Sequence, residues 1–464
     1  MNRFWASIFV LSLFGCASSG ERFPGEEVSE KIRTAALENE GAWKKMEELC
    51  DGIGARLSGS EALEKAIQWA LETMKREGHE NVRAEKVMVP CWVRGKESAF
   101  LLAPRKSPIE ILGLGGSIAT PPGGIVAEVE VVRNEEELEE LGKGAKGKIV
   151  LFNNPMPPYD PKKGSGYGRT VRFRVNGARL ASAHGAVAVL VRSVTAHSLR
   201  TPHTGGMNYG DAKKKIPAAA ITTEDADIIA RLRARGVSVK VRLEMEAKDR
   251  GLVPSANVVG ELRGREIPEE VVVIGGHLDS WDVGEGAHDD ATGCVMAMEA
   301  LTILRKLNLT PRRTIRVVLY TNEENGLAGA RQYVKDHAGE IENHVAAIES
   351  DSGGFRPLGF SVEMKDPERE ARAAEQLKQI LERLSPIGAT EVRRGFSGAD
   401  VGRLKSGGVA CLGLRVEGSK YFDYHHTPAD TLDKVDPKEL NLCVTAMATL
   451  AYALAEMPGR LGDK

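Results

Sequence analysis

His277 and Asp279 in GGHLDSWDVG, Asp289 in GAHDDATG, the pair Glu323-Glu324 in YTNEENG, Asp351 in IESDSGG and His426 in YHHTPADT follow one another along the chain. Two imidazoles with carboxylates form a nitrogen and oxygen donor set that suits zinc. With one carboxylate shared, the set has room for two ions and a bridging water. Adjacent glutamates on a turn can divide the work, one facing a metal and the other the water as general base. An isolated HxD or EE arises often by chance, the latter mostly as a solvated charge pair. Five such pieces in one order, each closing or following an apolar run, do not. Ser280 and Ser352 lack a His/Asp partnership and read as loop hydrogen-bonders, so no nucleophilic triad is expected.

The elements that must carry these residues alternate as strand and helix. The run 271–274 is continuously apolar, as in a central strand covered on both faces, and His277 lies just past it. Residues 291–307 read as a helix and 314–320 as the next strand, with Glu323-Glu324 after it. Residues 345–348 form a strand before Asp351, and 408–416 a strand before the loop of His426. Open α/β sheets place their sites beyond the carboxyl ends of strands. The fold class is therefore α/β, with a central mixed, largely parallel sheet flanked by helices.

Upstream, residues 26–48 read as one helix, followed by a Gly/Ser turn over 54–60 and an amphipathic helix that Gly78 ends. Pro121-Pro122-Gly123-Gly124 marks a composition break read as a domain boundary. From there to about Met245, short strands and helices form an α/β insert without any of the five motifs. Its Tyr159, Tyr167 and the cluster Arg169, Arg172 and Arg174 could reach over a neighbouring cleft, although arginines of this kind more often coat a solvated surface.

A chain of 464 residues exceeds what one core usually serves, so two domains or an inserted domain are expected. With 63 basic and 65 acidic residues, a net charge of −2 and no basic stripe, nucleic acid is excluded as a partner. Met1 to Arg3 is a positive start, 4–14 is apolar, and Leu13-Phe14-Gly15-Cys16 reads as a bacterial lipobox. The expected protein is exported and lipid-anchored to the cell envelope through Cys16, with an ordinary secretory signal as the alternative. No second run of about 18 apolar residues follows. The other cysteines are scattered; a Cys50–Cys91 disulfide is one option for an exported protein, which sequence alone does not settle.

The motifs resemble those of the co-catalytic zinc exopeptidases, which include bacterial leucyl-type aminopeptidases and glutamate carboxypeptidases. Within that family the likeness is to the plasma glutamate carboxypeptidase (carboxypeptidase Q) subfamily, over nearly the whole chain after the signal. GARLSGSEALEKAIQWA and VPCWVRG resemble its N-terminal signature, RSVTAHSLRTPHTGGMNYGD and KIPAAAITTEDAD its protease-associated insert, and GGHLDSWDVGEGAHDD its metal-binding core. The resemblance implies the zinc-exopeptidase fold, with a signal and tether over 1–20, an N-terminal part of the catalytic domain over 21–120, a protease-associated insert over 121–248 and the zinc-binding part over 249–464. It implies two Zn²⁺ ions, one on His277, Asp289 and Asp351 and the other on Asp289, Glu324 and His426. Glu323 becomes the general base, and Asp279 the carboxylate that orients His277 by accepting its second N–H. His426, four residues before Asp430, takes the ligand position, which leaves His425 to stabilise an oxyanion where some relatives use a tyrosine. A cis peptide bond at Asp289–Asp290 is also implied.

The expected activity is hydrolysis of dipeptides or short peptides, and a homodimer is an open expectation. Three other readings stand beside it: an aminopeptidase for longer peptides, a single-zinc glutaminyl cyclase, and a peptide-binding lipoprotein without turnover. His277 and the filled Glu323 position speak against the last two. Glu349, two residues before Asp351, is a candidate for holding a substrate amine, and the insert arginines for holding a carboxylate.

Overall fold

The computed structural model describes residues 25–464; the lipobox, Cys16 and the tether expected over 1–20 lie outside them. The ligand-bearing strands form an eight-stranded sheet. Its spatial order is Glu80–Val93, Lys248–Leu262, Arg313–Tyr320, Ile267–His277, His344–Glu349, Ala410–Val416, Pro357–Glu363 and Glu391–Arg394. Four of its seven pairings are parallel, including the three at the centre. The continuous apolar run is explained by its two faces. Val272 and Ile274 pack into the larger core, under helices Thr292–Lys306 and Pro437–Glu456, while Val271 and Val273 pack with Ala330 and Tyr333 of helix Ala328–Asp336. Side chains alternate across a strand, so a strand covered on both sides must be apolar at every position.

Two sequence expectations change here. The helix expected over 26–48 is two, Glu26–Leu37 and Gly41–Cys50, because the Asn39 side chain accepts the Gly41 N–H at 2.6 Å and turns the chain between them. The sheet of the expected insert also draws on strands before residue 121. Strands Glu97–Ala103, Ser107–Ile109 and Ile111–Gly113 belong to a second eight-stranded sheet, with Lys240–Met245, Ile125–Val132, Ile149–Phe152, Ala188–Arg192 and Ala218–Ile221. Pro121 to Gly124 is a tight turn within this unit. The Gly124 N–H donates to the Pro121 carbonyl at 2.9 Å, with φ of 87° at Gly123 and 77° at Gly124. The turn composition here accompanies a reversal of the chain between strands of that sheet.

Cys50 and Cys91 are both free thiols, as are Cys294, Cys411 and Cys443, so the disulfide option is not realised. Among the described residues no helix is long and apolar enough to cross a membrane.

Candidate active site

The site lies beyond the carboxyl ends of the central strands. His277 is the last residue of its strand, Glu323 and Glu324 follow strand Arg313–Tyr320 by a turn, and Asp351 follows strand His344–Glu349. Asn322 adopts φ of 66°, a left-handed conformation that asparagine tolerates better than most residues. Its side chain fixes the turn, donating to Ser58 Oγ at 2.9 Å and accepting the Ala328 N–H at 3.1 Å. Asp289 sits in a wide turn before helix Thr292–Lys306, where the Asp289–Asp290 peptide is cis. Asp430 holds that turn from the other side: its two carboxylate oxygens accept the His288 N–H at 2.8 Å and the Asp289 N–H at 3.1 Å.

These loops bring the five expected metal-binding residues together. His277 Nε2 lies 3.2 Å from Asp289 Oδ1 and 3.5 Å from Asp351 Oδ1. On the other side, His426 Nε2 lies 3.3 Å from Asp289 Oδ2 and 3.0 Å from Glu324 Oε2. The two oxygens of Asp289 therefore face different histidines. Three buried atoms of this set, His277 Nε2, Asp289 Oδ2 and Glu324 Oε1, have no hydrogen-bond partner among the described residues. Buried polar atoms are rarely left so, and a cation would satisfy all three. The electrostatics agree. Burial works against an imidazolium, yet the charges of Glu324 and Asp289 push His426 up to about 10. Asp290 is also near His277, but its oxygens accept the His277 and Gly293 backbone N–H groups at 3.1 and 2.9 Å.

Asp279 acts on His277 differently from the expectation. Its carboxylate is 3.8 Å from His277 Nδ1, whereas its backbone carbonyl is 2.9 Å away and is the acceptor for that ring nitrogen. The carboxylate Oδ1 instead accepts the Glu323 N–H at 3.1 Å, which ties the glutamate turn to the His277 loop. Glu323 is held well above the usual carboxylate range. Burial is the main cause; His277 opposes it, and the charges of Asp351, Glu324 and Asp289 add to it.

A cavity of about 730 Å³ opens over these groups, lined by Glu323, Glu324, Asp351, His425 and His426 and, from the insert, by Tyr159, Tyr167 and Arg174. His425 stacks on His426 at 3.5 Å between ring centres, with Nε2 3.8 Å from Asp289 Oδ2. Burial, aided by the charge of His426, holds it well below the usual imidazole value, so it is neutral. Of the three insert arginines only Arg174 reaches the site. It is buried, lies over the Tyr167 ring at 5.5 Å and comes within 3.3 Å of His426 Nδ1. Arg172 pairs with Glu135 within the insert at 2.5 Å, and Arg169 is exposed. Glu349 borders the cavity, but its oxygens accept the N–H groups of Ala399, Asp400 and Val401 at 3.0, 3.1 and 2.7 Å. It anchors a loop and does not present a free carboxylate to an amine.

Comparison with known proteins places this arrangement. The model of peptidase family M28 matches residues 257–451. Human carboxypeptidase Q is 39% identical over 471 residues, covering 98% of this chain and 97% of the human protein. The chain belongs to peptidase family M28. Mouse carboxypeptidase Q is 44% identical over 409 residues, 88% of this chain and 84% of the mouse protein. The crystal structure of a peptidase M28 precursor from Shewanella amazonensis superposes with a TM-score of 0.88 at 36% identity, covering 94% of this chain and 98% of that one. An aminopeptidase from Aneurinibacillus shares the fold, with a TM-score of 0.66 at 20% identity over 93% of this chain and 97% of that one. The protein is thus an M28 zinc metallopeptidase.

In this M28 peptidase one residue that motif reading passed over does much to shape the site. Arg56, in the turn GARLSGS, is fully buried. Its guanidinium donates to the carbonyls of Leu278 and Glu285, each at 2.6 Å, and of Gly286 at 3.0 Å. It clamps the loop joining His277 to Asp289. In sequence it stands in a Gly/Ser turn within the stretch GARLSGSEALEKAIQWA, and neither context says that the arginine is buried.

Proposed function

We propose that the protein is a di-zinc exopeptidase that hydrolyses dipeptides or short peptides, with Glu323 as general base. The observation that supports this most is the arrangement of His277/Asp351 and Glu324/His426 on opposite oxygens of Asp289, with Glu323 at the same cavity. In this reading His277, Asp289 and Asp351 hold one ion, and Asp289, Glu324 and His426 the other. Bound zinc supplies Lewis acidity, which lowers the pKa of water and polarises a peptide carbonyl. Glu323 takes the proton from the attacking water and delivers it to the leaving amine. The neutral His425 ring donates an N–H to the oxyanion of the tetrahedral intermediate. Arg174 holds the terminal carboxylate through its fork of donors, and Tyr159 and Tyr167 limit the length of peptide admitted.

A dipeptide offers both a free amine and a free carboxylate, which is why it is the favoured substrate. Comparing a free dipeptide with its N-acetyl and C-terminal amide forms tests this. Loss of turnover on amidation identifies recognition of the carboxylate. Equal turnover of dipeptide and amide, with loss on acetylation, makes the protein an aminopeptidase instead. Elemental analysis near two zincs per chain supports the pair of ions, and a value near one refutes it. The lipobox supports export and anchoring through Cys16; release of Cys16→Ser from the membrane fraction is the expected outcome.

A further inference from the structure

The insert does more than border the cavity: it grips a metal-binding residue. His426 has φ of 62°, a conformation uncommon outside glycine. Thr204, in the insert loop TPHTGG, closes a pair of contacts with it. The Thr204 N–H donates to the His426 carbonyl at 3.0 Å, and the Thr204 carbonyl lies 3.2 Å from His426 Nδ1. A carbonyl can only accept, so this contact requires the proton on Nδ1. Nε2, on the side of Glu324 and Asp289, is then the nitrogen able to take a cation in place of a proton. Arg174 also approaches Nδ1, at 3.3 Å, but it can only donate and would favour the opposite tautomer. Only the contact to Thr204 is compatible with a cation on Nε2.

Thr204 is itself fixed from the crossover between the two sheets. Its hydroxyl donates to the Gly113 carbonyl at 2.7 Å and accepts from Arg94 Nη2 at 3.4 Å. Arg94, buried in VPCWVRG, also donates to the Gly113 carbonyl, and its Nε donates to Asp282 Oδ2 at 2.9 Å. Asp282 stands in the loop that follows His277. One chain of contacts thus runs from the His277 loop through the crossover and the insert to His426. Gly205 gives the turn its room: its φ is 138°, and a Cβ there would fall 2.4 Å from the Arg174 guanidinium.

We propose that Thr204, held in place by Arg94, is a positioning residue for His426, so that the ion on Glu324 and His426 depends on the docked insert. This rests on the two-ion reading above. The test uses the full chain loaded with zinc and equilibrated against a graded chelator, with the zinc retained counted by elemental analysis. Arg94→Met removes the link to Asp282, Gly113 and Thr204; Thr204→Val removes only the hydroxyl and covers the case in which Arg94→Met does not fold. The folded variants are expected to lose one zinc at about 10–100-fold weaker chelation than the wild type, the range for loss of a group that orients a ligand, and to keep the other. The absorption spectrum of the cobalt-loaded protein should change for one ion only. If both ions leave the variants as they leave the wild type, or if both weaken equally, the proposal is overturned. A wild type that holds fewer than two zincs would instead refute the two-ion reading and is separately recognisable.

Discussion

Glu323 and Glu324 are chain neighbours with different surroundings, and the proposed mechanism gives them different work. Glu324 faces His426 at 3.0 Å, whereas the Glu323 N–H is tied to the Asp279 carboxylate at 3.1 Å. Glu323→Gln keeps the size and removes the base, so kcat on a dipeptide should fall by roughly 10²–10⁴-fold with zinc content unchanged. Glu324→Gln should lose zinc and activity together. If Glu323→Gln stays active, the base lies elsewhere. Arg174 gives a second test at this scale. Arg174→Ala should raise KM for a free dipeptide more than for its C-terminal amide, while Arg172→Ala, whose partner is Glu135, should change neither. Equal losses on both substrates would mean that Arg174 acts on His426 and not on the carboxylate.

The loop between His277 and Asp289 owes its shape to a side chain from a different part of the chain. Arg56 satisfies three of its carbonyls, and each buried carbonyl left unpaired costs about 1–3 kcal/mol. Arg56→Met should therefore lower unfolding stability by roughly 3 kcal/mol or more, read from the urea midpoint. It should also weaken zinc binding, because the loop joins His277 to Asp289, the proposed ligands at its two ends. A variant as stable as the wild type would show that the clamp is dispensable. The Pro121–Gly124 turn teaches the same lesson about elements: its composition reports a reversal of the chain, and only the strand pairing of Glu97–Ala103 with Lys240–Met245 shows which sheet it serves.

Across the whole molecule, buried histidines far from the site make stability depend on pH. Burial pushes both His79, bonded to Thr302 Oγ1 at 2.8 Å, and His344, bonded to Tyr333 Oη at 2.9 Å, down to about 4. In the unfolded chain a histidine titrates near 6.5. Between these values the unfolded state binds more protons, so stability is complete above about pH 6.5 and falls as the pH drops toward 4, by about 3 kcal/mol for each histidine at most. Denaturation midpoints across that range should show the slope, and His344→Gln should flatten part of it. An unchanged slope in that variant would remove His344 from the account.

The sequence by itself determined the donor residues and their address. Donor types are fixed by residue identity, and an apolar run that ends before each of His277, Glu323 and Asp351 already places them at strand ends, because a strand covered on both faces has no polar position to spare. The alternation of strand and helix through 271–348 was legible for the same reason, whereas strands Pro357–Glu363 and Glu391–Arg394 of the central sheet were not. Tertiary structure decided what depends on distance between remote segments. It put the two oxygens of Asp289 toward different histidines, made the Asp279 carbonyl and not its carboxylate the acceptor for His277, and chose Arg174 over Arg169 and Arg172. It drew strands 97–113 into the insert's sheet and buried Arg56 against the loop between His277 and Asp289. Apart from the His277–Asp279 contact, these join residues far apart along the chain. No local pattern encodes them, since each is set by how two independently formed surfaces meet.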